Sequence, residues 1–177
     1  MAKSKQKGNA NEHAVAKIFT EWSGLEFHKM PASGALRWGN STWTFGDLIP
    51  PENFPVVIEC KHWHDVSVEE MLGAQKNPPG SGRIVEWWQQ AVRDSIRCTE
   101  LLGIHSEPLL VWKRDYGRHR ICLRVEFLMN FLIEIIRELQ FLTSEFGLEK
   151  EFALLDLKHF LSIVSFSSFC ENLLKFI

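Results

Sequence analysis

The stretch FPVVIECKHW, residues 54–63, runs from a buried-type apolar sequence straight into Glu59 and Lys61. Val56, Val57 and Ile58 favour an extended strand. Successive strand side chains point to opposite faces, so Glu59 and Lys61 share one face roughly 6.6 Å apart and Cys60 points into the other. A carboxylate and an ammonium therefore sit side by side where the strand leaves the core.

On the N-terminal side, NANEHAVAKIFTEW (9–22) repeats apolar residues at Val15, Ile18, Phe19 and Trp22, the spacing of one buried helix face. Asn9 is the expected N-cap with Glu12 at N3, and Ser23-Gly24 ends the helix. Short strands are expected at 25–30, 42–49 and 54–62, joined by MPASGALRWGNST (30–42) and LIPPENFP (48–55). After the breaker run NPPGSG (77–82), Ile84, Trp88, Ala91, Val92 and Ile96 mark a second helix closed by Gly103. Residues 107–125 read as two strands around Tyr116-Gly117. From Val125 onward the sequence reads as apolar helices.

The expected fold is α/β, a mixed β-sheet core flanked by helices with a helical C-terminal extension. The division is 1–124 for the core and 125–177 for the extension, the latter packed on the core or forming a dimer interface. One domain of 177 residues buries about 70% of its unfolded surface. Seven Trp and thirteen Phe against one Tyr are a surplus that suits a core or an interface.

No run reaches the roughly 18 apolar residues of a membrane span, and the N-terminus lacks a signal-peptide pattern, so a cytoplasmic protein is expected. Cys60, Cys98, Cys122 and Cys170 form no zinc-ligand pattern and are expected to be reduced. Net charge is −2, yet residues 1–124 carry 16 Lys and Arg against 14 Asp and Glu, and 125–177 carry 4 against 8. Such a mixture permits a local basic groove for a phosphate backbone.

Asp47 precedes Glu59 by 12 residues (59 − 47). If their strands pair as a hairpin, both carboxylates meet the Cys60 carbonyl in an oxygen-rich cage suited to Mg²⁺. Glu12 lies on the stripe of Val15 and Phe19; it either supports such a metal, directly or through water, or caps its helix. Lys61 would position a nucleophile or neutralise charge on a phosphate. Taken alone, a Glu-X-Lys tripeptide is common and reads equally as a cross-strand ion pair.

The ordered set KGNANEHAVAKIF, MPASGALRW, GD and VVIECKHW resembles the PD-(D/E)XK nuclease superfamily, and within it the archaeal-type and phage Holliday junction resolvases. EWWQQAVRDS and PLLVWKRD look like the helix and strand that follow in phage members, so the resemblance covers about residues 5–124. It implies a restriction-endonuclease-like fold and metal ligation by Asp47, Glu59 and the Cys60 carbonyl. It also implies a catalytic Lys61, support from Glu12, and DNA contact through the Ser33 loop. Gly46 departs from the family's usual Pro.

Further DNA contacts are expected at Lys5, Lys7, Lys29, Arg37 and Gln90, with Lys113, Arg114, Arg118 and Arg120 extending the groove. Gln90 alternatively belongs to the metal shell or to an exposed helix face. His62 and His64 suggest a second metal site or ordinary surface histidines, and Trp87 either stacks on a base or packs inward. The implied protein is a Mg²⁺-dependent phage-type endodeoxyribonuclease, with Mn²⁺ able to substitute. It cuts four-way junctions as a homodimer, without a membrane or a nucleotide cofactor. A nuclease for linear or nicked duplex and a non-catalytic DNA-binding protein are the alternatives.

Overall fold

The computed structural model describes residues 2–31, 45–52, 54–64, 66–73, 82–129, 142–144 and 152–174, with only the backbone described for 2–4 and 142–144. In chain order the described elements are α1 (Ala2–Ser23), β1 (His28–Lys29), β2 (Leu48–Ile49), β3 (Val56–Trp63), α2 (Val68–Leu72), α3 (Arg83–Leu102), β4 (Glu107–Arg114), β5 (Arg120–Arg124), α4 (Val125–Met129), β6 (Leu142–Ser144), β7 (Phe152–Asp156), α5 (Leu157–Ile163) and α6 (Phe166–Leu174).

The FPVVIECKHW run is the edge strand of a five-stranded sheet of order β3-β4-β5-β7-β6. β4 lies parallel to β3, and the remaining pairings are antiparallel. Parallel neighbours require a crossover, which α2 and α3 supply. The sheet is therefore mixed and covered by helices, the restriction-endonuclease-like arrangement.

Each face of the sheet has its own core. Val56, Ile58 and Cys60 join Val15 and Phe19 of α1 with Phe160, Phe169 and Leu173 of α5 and α6. Leu110, Trp112, Cys122 and Leu154 meet Ile84, Val85, Trp88 and Ala91 of α3 on the other side. Among the described residues much of the aromatic surplus packs in or against the core: Trp22 packs edge-on against Phe166 and Phe169 at 5.2 and 5.5 Å and donates its indole N–H to the Val164 carbonyl.

Four expectations change. α1 starts at Ala2, so Lys7-Gly8 lie inside it and Asn9 is not its N-cap. The second strand pairs with the first, His28 opposite Ile49, and among the described residues forms no ladder with the third. Ile96, expected in the core, is about half exposed on α3. Finally, residues 125–177 are not all helical: β7 pairs along the whole of β5, which ties this segment into the same sheet as the core. β7 reads FALLD with its first four residues buried, and a strand covered on both faces loses the alternation that would reveal it.

α3 ends as expected at Gly103, whose φ of 68° is the left-handed conformation of a helix terminus. Three of the four cysteines are buried, and all four are free thiols. No helix among the described residues is long and apolar enough to cross a membrane.

Candidate active site

The two faces of β3 receive different partners. Residues 57, 59, 61 and 63 point toward α3, and residues 56, 58, 60 and 62 toward α1. Glu59 is buried against α3, where its Oε1 accepts a hydrogen bond from Gln90 Nε2. Asp47 reaches the site along the free edge of the strand: its N–H donates to the Ile58 carbonyl and its Oδ2 accepts the Cys60 N–H, both at 2.8 Å. Asp47 immediately precedes β2 and is held by these two bonds.

Gly46 makes that approach possible. Its φ is +75°, and a Cβ there would lie 2.6 Å from the Ile58 carbonyl oxygen. Both observations account for Gly where the family pattern has Pro, whose ring fixes φ near −65°.

Lys61 completes the cluster, its Nζ 3.4 Å from Glu59 Oε2 and 4.0 Å from Asp47 Oδ2. Burial pushes the Glu59 carboxyl up to about 9; the hydrogen bond and negative charge of Asp47 add to this, and Lys61 opposes it. The site holds one ammonium, that of Lys61, for two carboxyl groups. The same burial and the same carboxylates push the Cys60 thiol far up, so it stays neutral.

Glu12 comes in from the α1 side. Its carboxylate is paired with Lys29 of β1 at 3.1 Å, so it neighbours the pair without joining it. Next to it, Asn11 is buried and donates to the Lys61 carbonyl at 3.1 Å, with His119 Nε2 3.0 Å from its Oδ1. Burial and the cations Lys113, Lys158 and His62 push His119 down to about 4, so it is neutral and donates this bond. Sequence reading missed Asn11 because a buried amide inside an apolar helix pattern carries no motif. For Gln90 the sequence leaves a DNA contact, the metal shell and an exposed helix face open, and its hydrogen bond to Glu59 depends on α3 lying against β3.

Other expected residues are placed as follows. Ser33 and Arg37 lie outside the described residues, and Lys5 is exposed. Lys7 Nζ is paired with Asp115 at 2.7 Å, and the same carboxylate takes His62 Nε2 at 2.9 Å. His62 is thus committed to a strap between α1 and the end of β4, and not to a second metal with His64. Arg114 donates to the Val66 carbonyl. Trp88 is core, and Trp87 packs edge-on against Trp63.

Among the described residues no three His, Cys, Asp or Glu side chains converge as a metal cage. Mg²⁺ does not require one: it binds through one or two carboxylates, substrate oxygens and retained waters. Asp47 and Glu59 supply two carboxylates. The Cys60 N–H bond to Asp47 shows that residue's backbone facing the open edge, and its carbonyl points the same way because N–H and C=O of one strand residue lie to one side. The donor set fits a hard divalent cation.

An edge-strand Glu-X-Lys facing an Asp, on a mixed sheet between helices, fits the Asp and Glu-X-Lys pattern of the PD-(D/E)XK endonucleases. The chain belongs to this class: the family described as "Phage putative PDDEXK endonuclease" matches residues 3–169. It is similar to Protein D14 of Escherichia phage T5, with 31% identity over 124 residues, 68% of this chain and 70% of that one. No solved structure matches it.

Proposed function

We propose that this nuclease is a divalent-metal-dependent endonuclease that resolves four-way DNA junctions as a homodimer in a phage-infected cell. The observation that carries the catalytic part is Lys61 Nζ lying within 4.0 Å of both Asp47 and Glu59 at an open sheet edge. The junction substrate is supported by the resolvase-like order of Lys7-Gly8, Glu12, Ser33-Gly34, Asp47 and Glu59-X-Lys61. A twofold dimer suits a substrate cut symmetrically in two strands.

In this reading Asp47, Glu59 and the Cys60 carbonyl would hold Mg²⁺ or Mn²⁺, with Glu12 in support. The bound cation supplies Lewis acidity toward the phosphate and acidifies a water. Lys61 orients the attacking water and neutralises charge on the phosphoryl oxygens as the P–O bond breaks. Gln90 keeps the Glu59 carboxylate in one orientation, and Asn11 fixes the backbone from which Lys61 projects.

Cleavage of a synthetic four-way junction and of matched linear duplex, in Mg²⁺ or EDTA, with wild type and Asp47→Asn, tests this. Paired, symmetric, metal-dependent nicks confined to the junction and absent in the variant are expected. Equal cleavage of linear duplex would leave a general nuclease, and junction binding without cleavage would leave a structural DNA-binding protein.

A further inference from the structure

Two residues beyond Lys61 on the same face of β3, Trp63 carries an assembly that the chemistry above does not use. The Arg83 guanidinium lies over its ring, 5.0 Å from the centroid. His64 lies 4.9 Å from the same ring, and Trp87 meets it edge-on at 5.7 Å. Both tryptophans are packed onto the core formed by Met71, Ile84 and Trp88. With its ring so covered Trp63 is not a platform for a base; it fixes the direction of a cation.

Arg83 opens α3, its side chain is about half exposed (48%), and among the described residues it forms an ion pair with the similarly exposed Glu86 at 2.9 Å. Exposed pairs of this kind are weak and readily exchanged for a stronger anion. Seven residues on, Gln90 touches Glu59, which sets Arg83 about 10 Å from the active carboxylates along the helix. The spacing of about 3.4 Å between charges along one strand is only the rise on the helix axis, and neighbouring phosphates, also offset around the helix, lie roughly twice as far apart. The cation thus stands about one to two nucleotides from the reacting phosphate.

We propose that Arg83, held by Trp63, grips a backbone phosphate of the DNA about one to two nucleotides from the scissile bond and so sets the path by which the strand leaves the site. This rests on the nuclease reading. The planar guanidinium suits bidentate phosphate contact, and holding it over an aromatic ring before DNA arrives lowers the ordering cost of that contact.

The test is anisotropy of a fluorescein-labelled 30-base-pair duplex with the full chain in EDTA over a KCl series, followed by single-turnover cleavage in Mg²⁺ at saturating DNA. Arg83→Ala should weaken binding several-fold and flatten the slope of log K against log salt by about 0.9, one phosphate contact. Arg83→Lys should keep the slope and lose part of the affinity. Arg97→Ala, about 21 Å further along α3, should behave as wild type. Melting temperatures verify folding, with Arg83→Gln as the second variant.

Unchanged affinity and slope in Arg83→Ala and Arg83→Gln, beside a wild type that binds and cuts, overturn the inference and leave the nuclease reading intact. A wild type that neither binds nor cuts any DNA overturns both.

Discussion

Asp47 Oδ2 accepts the backbone N–H of Cys60 at 2.8 Å, so the acid that precedes β2 is bound to the free edge of β3 beside Glu59. This bond, and the Asp47 N–H to the Ile58 carbonyl, place two carboxylates together that come from different parts of the chain. Such proximity has an electrostatic cost that shows in Glu59.

Without metal, the stability contributed by Glu59 should fall as pH rises. Its folded value lies near 9 against about 4.5 unfolded, so between those limits folding must take up a proton and the stability it contributes is progressively lost. Melting in EDTA from pH 5 to 9 should therefore show a decline, which Glu59→Gln removes. Mg²⁺ must displace the same proton, so the stabilisation it confers should grow from pH 7 to 9 in wild type and vanish in Glu59→Gln. A Mg²⁺ effect equal at both pH values would contradict this.

Gln90→Ala removes the donor that orients Glu59 and leaves a buried oxygen without it. A loss of about 1–3 kcal/mol in stability is expected from the unmet group. Cleavage at saturating DNA should fall about 10- to 100-fold, the usual effect of losing an orienting partner. Chemical denaturation and single-turnover rates measure the two separately, and a purely exposed Gln90 would change neither.

Asn11→Ala should lower both stability and cleavage, because the Lys61 carbonyl and His119 lose their common partner. His119 also predicts acid sensitivity. Its folded value of about 4 lies below the 6.5 of a free histidine, so its share of stability is complete above pH 6.5 and is lost as pH falls toward 4. Denaturation of wild type and His119→Asn across that range should show the variant losing less stability on acidification.

Gly46→Ala should be strongly disruptive for one methyl group. The left-handed φ is worth about 1–3 kcal/mol to a non-glycine residue, and the added carbon meets the Ile58 carbonyl. Displacing this residue displaces Asp47, so cleavage should fall further than the melting temperature alone explains. A wild-type rate in the folded variant would show that Asp47 reaches its place without the glycine.

The sequence by itself determined the elements whose signals are local. A β-branched run ending in Glu-X-Lys, an amphipathic helix closed by Gly103, and an Asp after a glycine are legible because side-chain period and turn chemistry act over a few residues. The order of those motifs carried the nuclease family. Only the tertiary structure decided the rest. The strand Phe152–Asp156 reads as apolar helix until both its faces are covered, and Ile96 keeps a core register although it is about half exposed. Gln90, Asn11 and His119 acquire their roles from partners 31, 50 and 108 residues away. Hydrogen bonds across such separations exist only after packing has brought the backbones together, so nothing in the local pattern encodes them.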